Sequence, residues 1–154
     1  MGEEIERKFL VVGEDWRREA TGTPYRQGFL STEPERTVRV RVAGDRGSIT
    51  VKGKTSGARR AEFEYAIPVH DARQMLDTLC RKPLIEKTRY SLTVGDHVWD
   101  IDVFEGVNAG LVVAEIELRT EDEGFEKPSW IGDEVTGDPR YFNSNLVAHP
   151  YDTW

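Results

Sequence analysis

Charged and apolar side chains alternate along short stretches of this chain, and this alternation limits the fold more than any other feature of the sequence. Residues 37–43 read Thr-Val-Arg-Val-Arg-Val-Ala, with valine at every second position and a polar residue before each valine. Successive side chains of a β-strand point to opposite sides of a sheet, so the pattern predicts a strand with one apolar and one charged face. Similar stretches recur along most of the chain and predict a mainly β (α+β) protein.

The charges come in pairs two residues apart, and each pair carries one sign. The acidic pairs are Glu4/Glu6, Glu62/Glu64, Asp100/Asp102 and Glu115/Glu117, and the basic pairs are Arg39/Arg41, Lys52/Lys54 and Lys87/Arg89. Neighbours on one face of a strand lie roughly 6–7 Å apart. Like charges at this distance repel each other, so each pair requires opposite charge between or beside its members.

Two interpretations of these charged faces stay open at this point. A β-sandwich with its charges in water explains any single strand. The segregation of acidic and basic pairs onto different strands favours a closed barrel of about eight strands with the charged faces inward. Its lumen would have an acidic sector suited to a divalent cation and a basic sector suited to phosphate oxygens. A polyphosphate that bridges a metal and the basic wall would satisfy both sectors.

Length and composition narrow the class of protein. The 154 residues suit one domain, predicted as 1–154, and the chain is 38% hydrophobic and 32% charged, as in folded soluble proteins. A net charge of -7 argues against a sequence-blind nucleic-acid binder. We see no signal peptide and no apolar run near the roughly 18 residues of a membrane span, so we expect a cytoplasmic protein. The sequence leaves the oligomeric state open, with a homodimer among the alternatives.

A few peripheral helices are predicted beside the strands. Apolar residues recur at helical spacing within His70–Cys80, which predicts the clearest helix. The same spacing predicts a helix within Arg140–His149, and one short helix is an open alternative for Glu121–Pro128. Pro128–Gly132 is predicted to be a turn.

The ordered set of charged stretches resembles the CYTH superfamily, the triphosphate tunnel metalloenzymes. Glu4-Ile5-Glu6-Arg7-Lys8 resembles the ExExK motif of that family, and the resemblance covers essentially the whole chain. Further matching pieces are Arg26-Gln27-Gly28, Val38–Arg41, Thr50–Lys52, Arg60–Glu64, Glu86–Tyr90, Asp100–Phe104 and Glu115–Glu117. The tail Trp130–Thr136, followed by Arg140, Tyr141 and Asn143, is similar to the short bacterial branch.

The resemblance implies a closed antiparallel tunnel of eight strands, a Mg²⁺ or Mn²⁺ cofactor, and a small-molecule triphosphate as substrate. It implies metal-ligand positions at Glu4, Glu6, Asp100, Asp102, Glu115 and Glu117. It implies phosphate-binding positions at Arg39, Arg41, Lys52, Lys54, Arg60, Lys87 and Arg89. Lys8 would bind phosphate or orient water, and it is the predicted catalytic residue together with Glu4 and Glu6.

The resemblance also implies an activity, the hydrolysis of inorganic tripolyphosphate, because the small bacterial members resemble tripolyphosphatases. A thiamine-triphosphatase or a class IV adenylate cyclase is an alternative enzyme. A polyphosphate-binding module without turnover is an alternative of another class. The last is favoured by Phe29, since the short bacterial branch usually has at this position a tyrosine that is thought to assist catalysis, and phenylalanine lacks the hydroxyl.

Overall fold

The alternating stretches form one antiparallel sheet that closes on itself. The computed structural model describes residues 2–154, apart from the side chain of Glu19. The strands are β1 (Glu3–Val11), β2 (Gly22–Ser31), β3 (Arg36–Ala43), β4 (Arg46–Gly53), β5 (Arg59–Ile67), β6 (Ile85–Val94), β7 (His97–Phe104), β8 (Val112–Glu117) and β9 (Ile131–Glu134). The α-helix α1 spans Val69–Thr78, and short 3₁₀ turns lie at Asp15–Glu19, Gly106–Asn108, Pro139–Tyr141 and Tyr151–Thr153.

Two different neighbours of β1 close the barrel. The strand order is β5-β4-β3-β2-β6-β7-β8-β1-β9, with a further pairing between β5 and β1. Residues Glu6–Leu10 of β1 pair with β8, and residues Glu3–Ile5 pair with β5. The predicted closed barrel of eight antiparallel strands is therefore confirmed, and β9 is an additional strand. No helix within residues 2–154 is long and apolar enough to cross a bilayer.

The segment after β8 differs from its prediction. Residues 121–128 form no helix, and the side chain of Glu123 instead accepts a hydrogen bond from the Arg119 backbone N–H at 2.6 Å. A side chain that bonds to nearby backbone competes with helix formation. The predicted turn at Pro128–Gly132 is wrong in its second half, because Ile131 begins β9. This strand pairs with β1 at Phe9 and Val11, on the part of β1 that β5 does not reach.

The predicted helix within Arg140–His149 is also wrong. Only Pro139–Tyr141 forms a 3₁₀ turn there, and turns follow it. The reason is packing, because Leu146 and Val147 are buried against residues of the barrel. The apolar spacing in this segment therefore reflects burial against the strands and not a continuous helix.

Two of the three apolar clusters lie outside the barrel wall. The first joins outward-facing residues of β1, β7 and β8, such as Phe9, Trp99 and Ile116, with Trp16 and Trp130 from covering segments. The second lies where α1 packs on β3 and β4, and it contains Val40, Val42, Ala72, Leu76 and Cys80. A charged lumen thus moves much of the hydrophobic core to the outer face of the sheet.

The third cluster fills one end of the barrel. Along β2, β6, β7 and β8 the alternation that points charges inward also points Phe29, Ile85, Phe104 and Val113 inward. These side chains pack with Tyr141, Leu146 and Val147 from the segment that follows β9, residues 135–154, which we call the C-terminal segment. One end of the lumen is therefore apolar and filled, and the charged residues occupy the remainder.

The packing of α1 leads to a stability prediction. Leu76 is fully buried between α1 and the strands, whereas Leu79 directly after the helix is 65% exposed. We expect Leu76→Ala to lower the free energy of unfolding by about 2–5 kcal/mol, because it leaves a cavity. The matched control Leu79→Ala is expected to change it by less than about 0.5 kcal/mol. Urea unfolding of both variants measures this, and equal effects would show that α1 does not pack as described.

Candidate active site

The strand order sorts the charges into two sectors. The strands β7, β8, β1 and β5 carry the acidic pairs and are consecutive around the barrel, with β1 closing onto β5. The strands β4, β3 and β6 carry the basic pairs, with the less charged β2 between β3 and β6. The sectors enclose a cavity of about 240 Å³. Because acidic and basic pairs lie on different strands, one wall of the lumen is mainly acidic and the other is mainly basic.

Carboxylates and cations line the cavity in equal number. The carboxylates are Glu4, Glu6, Glu62, Glu64, Asp100, Glu115 and Glu117, and the cations are Lys8, Arg39, Arg41, Lys52, Arg60, Lys87 and Arg89. The other lining residues are small or polar, except for Phe29 and Phe142. The lumen is thus close to electroneutral, although the chain has a net charge of -7.

The structure brings together all the predicted site residues except two. Lys54 follows the last residue of β4, is exposed, and is not among the residues that line the cavity. Asp102 is only 1% exposed and also does not line it. The roles assigned to the other residues stay predictions, but their side chains share one cavity.

Asp102 lies in the centre of a buried ion triplet. Its Oδ2 accepts hydrogen bonds from Lys87 Nζ at 2.6 Å and from Arg89 Nη2 at 2.9 Å, and its Oδ1 accepts one from Arg89 Nε at 2.7 Å. Burial opposes ionisation, yet Lys87 and Arg89 lower the pKa of Asp102 to about 2. Both carboxylate oxygens are thus engaged by cations, which favours a counter-ion role over the predicted role as a metal ligand.

The two cations of this triplet respond differently to burial. Burial, together with the nearby charges of Arg89 and Arg41, lowers the pKa of Lys87 to about 7, although Asp102 opposes the change. Burial also opposes the charge of Arg89, but its paired contact with Asp102 holds the pKa of Arg89 well above its usual range. Arg89 therefore remains a fixed positive charge in the lumen.

Glu6 is the carboxylate most strongly affected by its surroundings. Burial and the neighbouring charges of Glu115 and Glu4 raise the pKa of Glu6 to about 8. Glu115 behaves in the opposite way: burial opposes ionisation, but Lys8 and Arg89 hold the pKa of Glu115 well below its usual range. The acidic sector therefore contains more negative groups than its cations compensate.

Cations of the lumen wall contact the other acidic side chains. Lys52 Nζ lies 2.8 Å from Glu4 Oε1 and 3.3 Å from Glu62 Oε2. Burial still raises the pKa of Glu4 against the opposing effect of Lys52. Burial and the charges of Glu4 and Asp100 likewise raise the pKa of Glu117.

Lys8 is a cation within the acidic sector, on β1 between β8 and β5. Its Nζ lies 3.6 Å from Glu115 Oε1 and donates a hydrogen bond to the Tyr141 carbonyl oxygen at 3.3 Å. It also lies 6.0 Å from the centre of the Phe142 ring. Because Lys8 and Glu115 face each other across β1 and β8, the barrel register fixes this position.

The basic sector holds guanidinium groups that are short of counter-charge. Burial lowers the pKa of Arg39, and burial with the charges of Arg39 and Arg89 lowers the pKa of Arg41 to about 9. Arg39 Nε is buried without a hydrogen-bond partner. An unpaired buried donor beside crowded cations is the environment that an anion would stabilise.

Four lining or supporting residues were not assigned to the site from the sequence. Glu62 and Glu64 could have been assigned to the site from the sequence, because they form one of the acidic pairs. Both side chains line the cavity. Gln27 and Asn143 are uncharged and belong to no charged pair, so the charge pattern does not point to them. They lie 116 positions apart in the chain. Their contact depends on where the C-terminal segment meets β2, which the alternation does not reveal.

The donor chemistry of the acidic sector suits a hard divalent cation. Glu4, Glu6, Glu115 and Glu117 offer carboxylate oxygens from two adjacent strands, and burial together with the charges of Glu115 and Glu4 raises the pKa of Glu6. Among residues 2–154, no three His, Cys, Asp or Glu side chains already form a group that could hold a metal ion. Glu4 and Glu115 instead contact Lys52, Lys8 and Arg89. The residues fit the metal chemically, and ligation requires them to exchange these cation partners.

Comparison with known protein families shows which family the chain belongs to. The CYTH domain family matches residues 2–151. The chain belongs to the CYTH domain family.

Two CYTH relatives share the length of the chain as well as its sequence. An inorganic triphosphatase of Acetivibrio thermocellus is 53% identical over 151 residues, which cover 98% of this chain and 97% of the relative. An inorganic triphosphatase of Nitrosomonas europaea is 38% identical over 148 residues, which cover 94% and 96% of the two chains.

Solved structures agree with the CYTH assignment. The crystal structure of an inorganic triphosphatase aligns with a TM-score of 0.66 at 36% identity, covering 93% of this chain and 96% of that chain. A protein from Pyrococcus horikoshii aligns with a TM-score of 0.61 at 20% identity, covering 77% and 80%, and supports the fold alone.

The crowded acidic sector of this CYTH barrel leads to a pH prediction. The ordinary pKa of a glutamate is 4.5, and that of Glu6 is about 8, so between these values the folded protein keeps a proton that the unfolded chain has lost. The free energy of unfolding therefore falls as pH rises through this window. Glu6→Gln removes this loss, and in metal-free buffer the variant should gain on the order of 3 kcal/mol over wild type between about pH 5 and about pH 8.

Urea unfolding with a chelator at several pH values measures this difference. Glu64→Gln is the matched control, because Glu64 also lines the cavity but its side chain is 50% exposed. Parallel pH curves for wild type and Glu6→Gln would contradict the placement of Glu6 in a buried, negatively crowded sector.

Proposed function

We propose that this protein hydrolyses inorganic tripolyphosphate with the help of a divalent metal ion. The observation that carries the proposal is the closed lumen, in which a basic wall faces an undercompensated acidic wall. A metal ion alone would add positive charge to this balanced lumen, and a phosphate chain alone would add negative charge. The two together change the charge of the lumen less than the phosphate chain alone would, which supports a metal-bound polyphosphate as the ligand. The names of the two triphosphatase relatives point to the same activity.

The basic residues of the lumen would bind and align the phosphate chain. Arg39, Arg41 and Arg89 present guanidinium groups, which bind phosphate oxygens in pairs, and Lys52 and Lys87 present ammonium groups. Their positions on different strands would hold the chain extended, so that the terminal phosphorus is open to attack by water on the side opposite the leaving oxygen.

The acidic residues Glu4, Glu6, Glu115 and Glu117 would hold Mg²⁺ or Mn²⁺. When bound, such an ion neutralises charge that develops on the phosphoryl and leaving oxygens. The lining supports an inorganic substrate over an organic triphosphate, because Phe29 and Phe142 are its only aromatic side chains among the described residues. An adenine or thiamine ring would require more apolar surface than this.

Further proposals concern the setting of the reaction. We expect residues 1–154 to act as a single domain on a small-molecule triphosphate in the cytoplasm, without a nucleic-acid or membrane partner. A homodimer remains an alternative to a monomer.

The first functional prediction concerns activity and substrate. Phosphate release from tripolyphosphate should require Mg²⁺ or Mn²⁺, and Glu4→Gln/Glu6→Gln should reduce it by at least about 100-fold, because the acidic wall is lost. Glu3→Gln is the matched control, since Glu3 belongs to the same strand but pairs with Arg59 and is 47% exposed. Wild-type release no greater than that of the double variant would rule out this activity.

A second candidate function is a polyphosphate-binding module without turnover. The observation that favours it is Phe29, which lines the cavity where a tyrosine hydroxyl would otherwise be available. Tripolyphosphate, ATP and thiamine triphosphate, each measured for binding and for turnover, separate the candidates. Tight binding of tripolyphosphate without phosphate release would favour the module, and cyclic AMP formed from ATP would favour a cyclase.

The second functional prediction concerns Lys8. We propose that its ammonium group acts at the reacting end of the phosphate chain, because it contacts Glu115 of the acidic wall. Lys8→Gln should lower kcat by at least about 100-fold and raise KM by less than about tenfold. Arg7→Gln is the control, since Arg7 points outward and pairs with Glu134. A variant that loses only substrate affinity would assign Lys8 to binding.

A further inference from the structure

A chain of hydrogen bonds connects two cations of the basic sector through two uncharged amides. Arg41 Nε donates to Gln27 Oε1 at 2.8 Å, and Gln27 Nε2 donates to Asn143 Oδ1 at 2.8 Å. Lys87 Nζ donates to the same Asn143 oxygen at 3.0 Å. The chain joins β3, β2 and β6 to the C-terminal segment, and Gln27 has no exposed surface.

The donors at both ends leave the amides only one orientation. The Nε of arginine can only donate, so the oxygen of Gln27 must face Arg41 and its NH₂ group must face Asn143. Asn143 receives donors from Gln27 and from Lys87, so it must present its oxygen to both. The Arg41 contact therefore fixes the orientation of Gln27, and Gln27 in turn fixes that of Asn143.

Asn143 competes with Asp102 for the Lys87 ammonium. An ammonium has three N–H donors, and Asp102 and Asn143 accept two of them. Asp102 does not line the cavity, whereas Asn143 and Lys87 do. Lys87 is only 1% exposed, so Asp102 and Asn143 together set the direction of its ammonium, and Asn143 supplies the contact on the cavity side.

We propose that Asn143 is a positioning residue for substrate binding, because its side-chain oxygen holds the Lys87 ammonium on the cavity side of Asp102 and, through Gln27, fixes Arg41. This inference rests on the proposed function, since the ligand of Lys87 and Arg41 is taken to be the triphosphate. A neutral amide suits the task better than a carboxylate. It orients the cations without cancelling their charge and without repelling a phosphate chain.

The test compares two asparagines of the same segment. Asn143→Ala removes the acceptor inside the lumen, whereas Asn145→Ala removes only an exposed hydrogen bond to the Pro139 carbonyl oxygen. Asn143→Ala should raise KM for tripolyphosphate by about tenfold or more and change kcat by less than about threefold. Calorimetric binding of tripolyphosphate in the presence of a chelator should weaken by a similar factor. Asn145→Ala should change neither quantity, so loosening of the segment is controlled for.

A double variant tests the route through Lys87. Lys87→Met keeps the apolar stem and leaves Asp102 paired with Arg89. If Asn143 acts through Lys87, adding Asn143→Ala to Lys87→Met should raise KM by less than about threefold more. Fully multiplicative effects would overturn the route through Lys87, and equal KM values for Asn143→Ala and Asn145→Ala in an active protein would overturn the positioning role as a whole. A wild type that neither binds nor hydrolyses tripolyphosphate would instead overturn the proposed function, and this inference with it.

Discussion

Enclosed charge requires enclosed counter-charge, and the rest of this structure depends on that constraint. Lys87 and Asp102 are both 1% exposed, and their contact at 2.6 Å lies where water cannot compensate either group. Removing Asp102 would leave Lys87 as a buried charge without its carboxylate partner, at a cost of about 3–5 kcal/mol. The barrel meets the constraint where a basic strand borders an acidic one: β6 sets Lys87 and Arg89 beside Asp102 of β7, and β4 sets Lys52 beside Glu62 of β5. Counter-charge is incomplete at Glu6 and at Arg39. A ligand that supplies the missing opposite charge can therefore stabilise the protein most at these two positions.

Because the interior of the barrel is largely charged, hydrophobic packing on its outer face and at its filled end stabilises the fold. The outer face of β1, β7 and β8 carries the tryptophan-rich cluster, and α1 covers β3 and β4. The helix can approach this closely because Gly47 has no side chain, since a Cβ there would lie 2.9 Å from that of Ala72. The C-terminal segment contributes twice. It fills the apolar end of the lumen with Leu146 and Val147, and it supplies Asn143 to the site.

The strands could be predicted because their cause is local, since alternation with a period of two identifies a strand wherever it occurs. The segregation of charge pairs by strand favoured a closed barrel over a sandwich with solvated charges, and the resemblance to the CYTH superfamily implied the closed barrel. The contacts of the C-terminal segment could not be predicted in this way. Nothing in Arg140–His149 shows that Asn143 meets Gln27, because that contact is set by tertiary packing. The same limit applies to Asp100 and Asp102, which form one pair in the sequence although only Asp102 is enclosed by cations.

Asp100 and Asp102 differ in burial, and this difference sets which charges each of them contacts. Both side chains point inward from β7, but Asp100 is 36% exposed at its side chain and Asp102 is 1% exposed. Burial makes Asp102 dependent on Lys87 and Arg89, and these two cations engage both of its carboxylate oxygens. Burial also lowers the pKa of Lys87 and raises that of Glu6, so it disfavours the charged form of each group. A phosphate beside Lys87 and a cation beside Glu6 would each relieve a charge that folding alone leaves unfavourable. The hydrophobic clusters therefore stabilise a barrel whose interior is arranged for binding rather than for its own stability.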